Sequence, residues 1–224
     1  MRERTETATI RWTTEAAHPN GLHAAPDGLW IIDQKDGRLY HQAYDDGRVL
    51  RVIETEADRA SGVTWDGSHV WLASTYNCKL LKVDPASGRT IAELDTPGAG
   101  VVPWGKPGQP RTGAHGLEWR DGTLWVAVPP SGTIYQVNPD NGAVLRSFKG
   151  PGFRPHGLAW QGDDLWCVET NDRAFYRYRI DTGDVLERIV IDGPEPHGMT
   201  IHQGQFWYCQ DVTREIATVN VPAS

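Results

Sequence analysis

Residues 156–191 read HGLAWQGDDLWCVETNDRAFYRYRIDTGDVLERIVI. Four short strands are predicted here: His156–Trp160, Leu165–Glu169, Phe175–Ile180 and Val185–Ile191. They are separated by Gln161-Gly162-Asp163, Thr170-Asn171-Asp172 and Asp181-Thr182-Gly183. Gly, Asn and Asp tolerate the positive φ that tight hairpins demand, and the alternating apolar positions fit strands packed between layers. Four antiparallel strands in about 40 residues make one propeller blade.

The same pattern recurs along the chain. The glycine of the opening motif stands at Gly21, Gly62, Gly116, Gly157 and Gly198. A tryptophan in the second strand repeats in step, at Trp30, Trp71, Trp125, Trp166 and Trp207. A later glycine agrees, at Gly47, Gly88, Gly142 and Gly183. Three independent markers in one register predict a single all-β domain over 1–224, a five-bladed propeller of four-stranded antiparallel blades. The blades span approximately 18–57, 58–98, 112–153, 154–194 and 195–224, the last completed by residues 5–14. Its own sequence supplies three strands, and Thr7–Thr13 supplies the outer one, which removes two free edges. The one wider spacing places an insertion at 98–111 (GAGVVPWGKPGQPR), whose four Gly and three Pro read as a loop of the kind that forms lids.

Composition narrows the function. Lys and Arg number 22 against 29 Asp and Glu, a net charge of −7 with no basic run, so a nucleic-acid partner is not expected. Met1–Thr14 lacks an apolar run of signal-peptide length and no segment reads as a membrane span, so a cytoplasmic protein without a membrane partner is expected. Cys78, Cys167 and Cys209 are too few for a disulfide framework, and the latter two read as small buried residues. The repeated tryptophans read as blade-packing core.

Because blade strands alternate in direction, the residue before each opening glycine gathers at one mouth of the channel. These are Asn20, Ser61, His115, His156 and His197. The residue 13 positions on ends the second strand at the same face: Asp33, Ser74, Val128, Glu169 and Gln210. The insertion lies over that mouth, with Trp104 as a wall. Imidazole beside carboxylate is a common ligand set for divalent metals and a common acid–base pair. His115, His156, His197 and Glu169 are therefore the expected ligands of a divalent ion (Mg, Zn, Fe, Ni or Mn) or, for His156 and Glu169, the catalytic groups. Asn20, Ser61, Asp33 and Trp104 are the expected substrate contacts. His18 and His23 flank the Asn20 position, and Arg154 and Glu195 enter the same face. Three equivalent histidines also fit a structural role copied with the repeat.

Pro155–Asn171 (PHGLAWQGDDLWCVETN) resembles the repeat of the virginiamycin B lyase (streptogramin lyase) family, with Pro-His-Gly-aliphatic followed by Trp-x-x-Glu-x-Asn. Pro196–Met199 and Ala114–Leu117 match its opening. The resemblance implies a propeller that opens an ester by elimination, with His156 as general acid or base and Glu169 as ligand of a Mg²⁺ ion. Two readings follow. One is a small-molecule enzyme, a lyase or hydrolase acting on an ester, lactone or related carbonyl compound at the channel mouth. The other is a non-catalytic propeller that binds a small ligand or a protein partner.

Overall fold

The computed structural model describes residues 1–150 and 152–222; Pro151, in the span expected for the third blade, and Ala223–Ser224, in that of the fifth, lie outside the described residues. Five blades form the ring, as the repeat predicts, each with a four-stranded antiparallel set and one with an added fifth strand. The first consists of β3 (Pro19–Ala25), β4 (Gly28–Asp33), β5 (Arg38–Gln42) and β6 (Val49–Glu54). The second runs through β7 (Ala60–Trp65), β8 (Val70–Ser74), β9 (Lys79–Val83) and β10 (Thr90–Asp95). The third holds β11 (Gly116–Arg120), β12 (Thr123–Val128), β13 (Thr133–Val137) and β14 (Val144–Lys149). The fourth holds β15 (Pro155–Gln161), β16 (Asp164–Glu169), β17 (Ala174–Tyr178) and β18 (Val185–Asp192). The fifth joins β19 (Met199–His202), β20 (Gln205–Cys209) and β21 (Glu215–Asn220) to the N-terminal β2 (Thr9–Thr13). The only helical element described is one 3-10 turn at Pro129–Ser131; no described helix is long and apolar enough to cross a membrane.

Each repeated tryptophan occupies a wedge between neighbouring blades. Trp166 packs edge-on against Phe206 at 4.9 Å between blades four and five, and Trp71 sits with Leu117 and Leu124 between blades two and three. The core is thus five interblade wedges, each a separate cluster. Cys167 and Cys209 are buried in these wedges as free thiols, raised by burial.

Both glycine markers have physical causes. Gly47, Gly88, Gly142 and Gly183 turn the hairpin between third and fourth strands at φ of 73–75°, a conformation that penalises any Cβ. The opening glycines face close approach instead. A Cβ on Gly21, Gly62, Gly116, Gly157 or Gly198 would lie within 3.0 Å of the next blade's backbone. The five innermost strands therefore meet backbone to backbone, pinching the channel between its two mouths.

The N-terminus departs from the expected single strand. Thr9–Thr13 pairs antiparallel with β21, closing the ring as the sequence predicts. Ahead of it, β1 (Arg2–Thr7) pairs in parallel with β18 and makes blade four five-stranded. Ala8 bridges the two by donating its N–H to Asp192 O at 2.9 Å. Glu3 accepts from Arg188 at 3.0 Å, and Arg4 lies 3.6 Å from the buried Glu187. The segment RERTET has no apolar alternation, so nothing in its pattern marked it as a strand.

Candidate functional site

A β-bulge decides where the residue before the opening glycine points. In β3 the register shifts between Pro19 and Gly21, in β7 between Ala60 and Gly62, and in β15 between Pro155 and Leu158. The bulge takes Asn20, Ser61 and His156 out of strand alternation and re-aims their side chains. At this mouth lies a cavity of about 340 Å³. Asn20, His115 and His156 line it from the ring, Arg154 and Asp211 from the loops, and Trp104 from the insertion. The insertion is pinned at its base by the Gly100–Thr112 bridge, and Gly113 donates to Thr75 O at 2.7 Å.

The three histidines do come together, as a chain of edge-to-face rings. His115 and His156 have centroids 4.6 Å apart, and His156 and His197 5.0 Å. Their hydrogen bonds settle the proton positions. His156 Nδ1 lies 3.0 Å from Arg154 O, which can only accept, so Nδ1 carries the proton. Burial and neighbouring positive groups hold His156 well below the usual histidine range, so it is neutral and its Nε2 accepts. His115 Nδ1, 3.0 Å away, is then the donor. The lone pair of His115 is left on Nε2, which is buried without a partner. Burial, reinforced by the Arg154 charge, lowers His115 to about 3. His197 is likewise lowered to about 3; its Nε2 lies 3.2 Å from the Arg154 guanidinium and 3.3 Å from Asp211. His18 Nε2 reaches the same oxygen, Asp211 Oδ2, also at 3.3 Å.

This arrangement does not fit one metal ion shared by three histidines. The Nε2 lone pair of His156 is taken by His115, and His197 Nε2 is engaged by the Arg154 guanidinium and Asp211. Among the described residues no group of three His, Cys, Asp or Glu side chains is placed to hold a metal.

The second-strand ring has a different job from the expected one. Glu169 accepts the Arg154 N–H with both oxygens, at 2.9 and 3.0 Å. Asp33 accepts from the amide of His18 at 3.1 Å and of Lys35 at 2.7 Å, and Ser74 accepts from Asp58 N at 2.7 Å. In three blades the side-chain oxygen ending the second strand thus ties down the backbone entering the first. Glu169 makes no hydrogen bond to a histidine, and burial raises it to about 7. Ser61 is buried and accepts from Gln34 Nε2 at 2.6 Å, so it positions Gln34, which does line the cavity.

Asp211, Tyr76 and Gln34 are wall residues that the repeat reading missed. All three follow the end of a second strand by one or two positions, a register the repeat makes readable. His23 goes elsewhere. It faces the opposite mouth, where a cavity of about 240 Å³ is shared with Glu118, Trp160 and Thr200. The backbone constriction at the glycine ring lies between the two mouths.

No protein-family model matches the chain, and no curated protein matches it. Solved structures do. A glutaminyl cyclase of Myxococcus xanthus superposes with a TM-score of 0.74 at 12% identity, over 98% of this chain and 99% of that one. A catalytically inactive virginiamycin B lyase of Staphylococcus aureus with quinupristin gives 0.57 at 21% identity, over 91% of this chain. A streptogramin B lyase gives 0.53 at 18% identity. This chain spans 66% and 65% of those two lyases. At such identities the likeness shows the propeller fold alone.

Proposed function

We propose that the cavity at the histidine-bearing mouth binds a small carbonyl compound and moves a proton within it, as a lyase or hydrolase acting on an ester, lactone or related substrate. The observation that carries this reading is the unpaired lone pair of His115 in a cavity that also holds the Arg154 guanidinium. His115 Nε2 takes the proton; His156, locked by Arg154 O, holds the ring of His115 in the tautomer that leaves Nε2 free. Arg154 faces negative charge that develops on the substrate oxygen. The low basicity of His115 belongs to the cavity without that charge. An oxyanion beside the imidazole raises its proton affinity during the reaction, so the interaction strengthens in the transition state. Enzyme names among the structural neighbours, a glutaminyl cyclase and the lyases, support a catalytic use of such a propeller. Glu169, engaged on the Arg154 amide, serves here as a positioning residue rather than as the partner base.

A second reading has its own support: imidazoles lowered to about 3 are poor bases and good acceptors, which suits a binding propeller. One experiment separates the two. The protein is incubated with a panel of small esters, lactones and amides, with turnover followed by mass spectrometry and binding by thermal shift. The catalytic reading expects turnover that His115→Ala lowers by about 10²-fold or more, with unfolding unchanged. Unimpaired turnover in that variant refutes it, and thermal shift without turnover selects the binding reading. Elemental analysis of the same samples covers the remaining alternative. One equivalent of a divalent metal, lost in His197→Ala, would replace the imidazole chain by a metal centre.

A further inference from the structure

The exposed large apolar side chains are distributed unequally. Leu50, Val52, Ile91, Val144, Leu145 and Ile10 lie on outermost strands around the ring. The others, the terminal Met1 aside, are in loops: Val101 and Trp104 in the insertion, Phe153 before β15 and Val212 after β20. Every one of these loops opens onto the histidine-bearing mouth. The turns of the opposite face carry small and polar residues instead, such as Asp66-Gly67-Ser68, Asp121-Gly122 and Gln203-Gly204. Trp104 is 45% exposed, Phe153 70% and Val212 72%, a cost in water that the other face avoids. Trp104 lines the cavity, and Phe153 and Val212 are the chain neighbours of the lining residues Arg154 and Asp211.

The cavity beneath is polar, and three polar atoms contributed by its lining residues have no partner. Asn20 Oδ1, Thr112 Oγ1 and His115 Nε2 are all buried without a hydrogen-bond partner, and Asn20 is 3% exposed. Oδ1 and the His115 lone pair can only accept, so the matching group brings N–H or O–H donors. A volume of about 340 Å³ admits the head of such a molecule and leaves a longer body outside.

We infer that the ligand is an amphipathic small molecule: a donor-bearing head, an amide or hydroxyl beside its carbonyl, enters the cavity, and an apolar chain or ring lies across Trp104, Phe153 and Val212. This rests on the cavity reading above and adds the class of ligand. The rim supplies affinity through buried apolar area, while Asn20 and His115 select the head. Head and tail are then separable, because Phe153 and Val212 touch only the body.

The test uses the intact protein with histidine rings isotopically labelled, titrated with acetamide, butanamide and hexanamide and read by the His115 ring resonances. Expected is a dissociation constant that falls about twofold per methylene for a half-buried tail, so that hexanamide binds at least about tenfold tighter than acetamide. In Phe153→Ser/Val212→Thr the dependence on length flattens while acetamide binds as before. Equal affinities for the three amides in the wild type, or an undiminished slope in the rim variant, overturns the inference and leaves the cavity standing. Amides that fail to move His115 at all refute the cavity reading itself. Hexanamide that binds Asn20→Ala/His115→Ala as tightly as the wild type, both measured by calorimetry, means that the rim binds apolar groups without the cavity, which also overturns the proposal.

Discussion

Glu118→Gln should stabilise this protein, and only above a definite pH. Glu118 stands on β11 at the second mouth, 9% exposed. Its Oε1 accepts from Thr64 Oγ1 at 3.4 Å and from Trp119 N at 3.2 Å, and no cation is paired with it among the described residues. Burial pushes its carboxyl from 4.5 to about 8. In the unfolded chain the proton leaves near 4.5; in the native protein it stays until about 8. Between these values the native state binds more protons, so stability falls as pH rises through that window and is intact below it. At about 1.4 kcal/mol per unit, the wild type carries roughly 3 kcal/mol of this penalty at pH 7. Gln keeps the shape and the donor and has no proton to lose. Glu118→Gln should then melt some 6–12 °C above the wild type at pH 7 and coincide with it at pH 4. His23, lowered to about 4 in the same cavity, titrates in both proteins, so the difference curve isolates Glu118. Parallel melting curves from pH 4 to 8 would refute a carboxyl held neutral by burial.

Other consequences can be measured the same way. Gly21→Ala puts a Cβ 2.6 Å from Ser61 O and 2.9 Å from Gly62 Cα, and should cost about 1–3 kcal/mol or more in chemical unfolding. Gly100→Ala, whose nearest neighbour is Pro130 at 3.7 Å, should cost well under half of that; equal costs would disprove the close-packed ring. Glu169→Ala strips the Arg154 amide of its acceptor and should cost about 1–3 kcal/mol, with Glu169→Gln recovering most of it. An unchanged midpoint in Glu169→Ala would remove its anchoring role. Deleting residues 1–7 uncovers the edge of β18 and should bring concentration-dependent association in light scattering; a truncated protein that stays monomeric would show the edge to be protected otherwise.

The fold was legible because its causes are local and repeat five times. Gly183 and its equivalents are demanded by hairpin φ, Gly157 and its equivalents by contact with the next blade, and Trp166 and its equivalents by the wedge they fill. Closure by Thr9–Thr13 was legible for the same reason, since one blade lacked a strand. What stayed hidden depends on pairing without a repeat partner. Arg2–Thr7 owes its strand to the free edge of β18 and to ion pairs, neither of which leaves a hydrophobic period in RERTET. The convergence of His115, His156 and His197 followed from register, but the placement of Asp211 and Tyr76 needed the turn geometry as well.

The two rings at this mouth show why residue type alone misassigns roles in a repeat. Asp33, Ser74 and Glu169 differ in charge and length, yet each accepts from an amide of the incoming loop. In these three blades the side chain acts as a backbone acceptor whatever its charge, so the carboxylates of Asp33 and Glu169 are engaged with the backbone. The opening ring behaves in the opposite way. Asn20, Ser61 and His156 occupy equivalent bulges, but their partners differ: Gln34 for Ser61, a backbone carbonyl and a second imidazole for His156, and none for Asn20 Oδ1. Equivalent backbone with unequal side-chain partners means that the fold does not require these residues as they are. The proposed chemistry of the mouth therefore draws on the opening ring and on Arg154, while Asp33, Ser74 and Glu169 hold the loops that enter it in place.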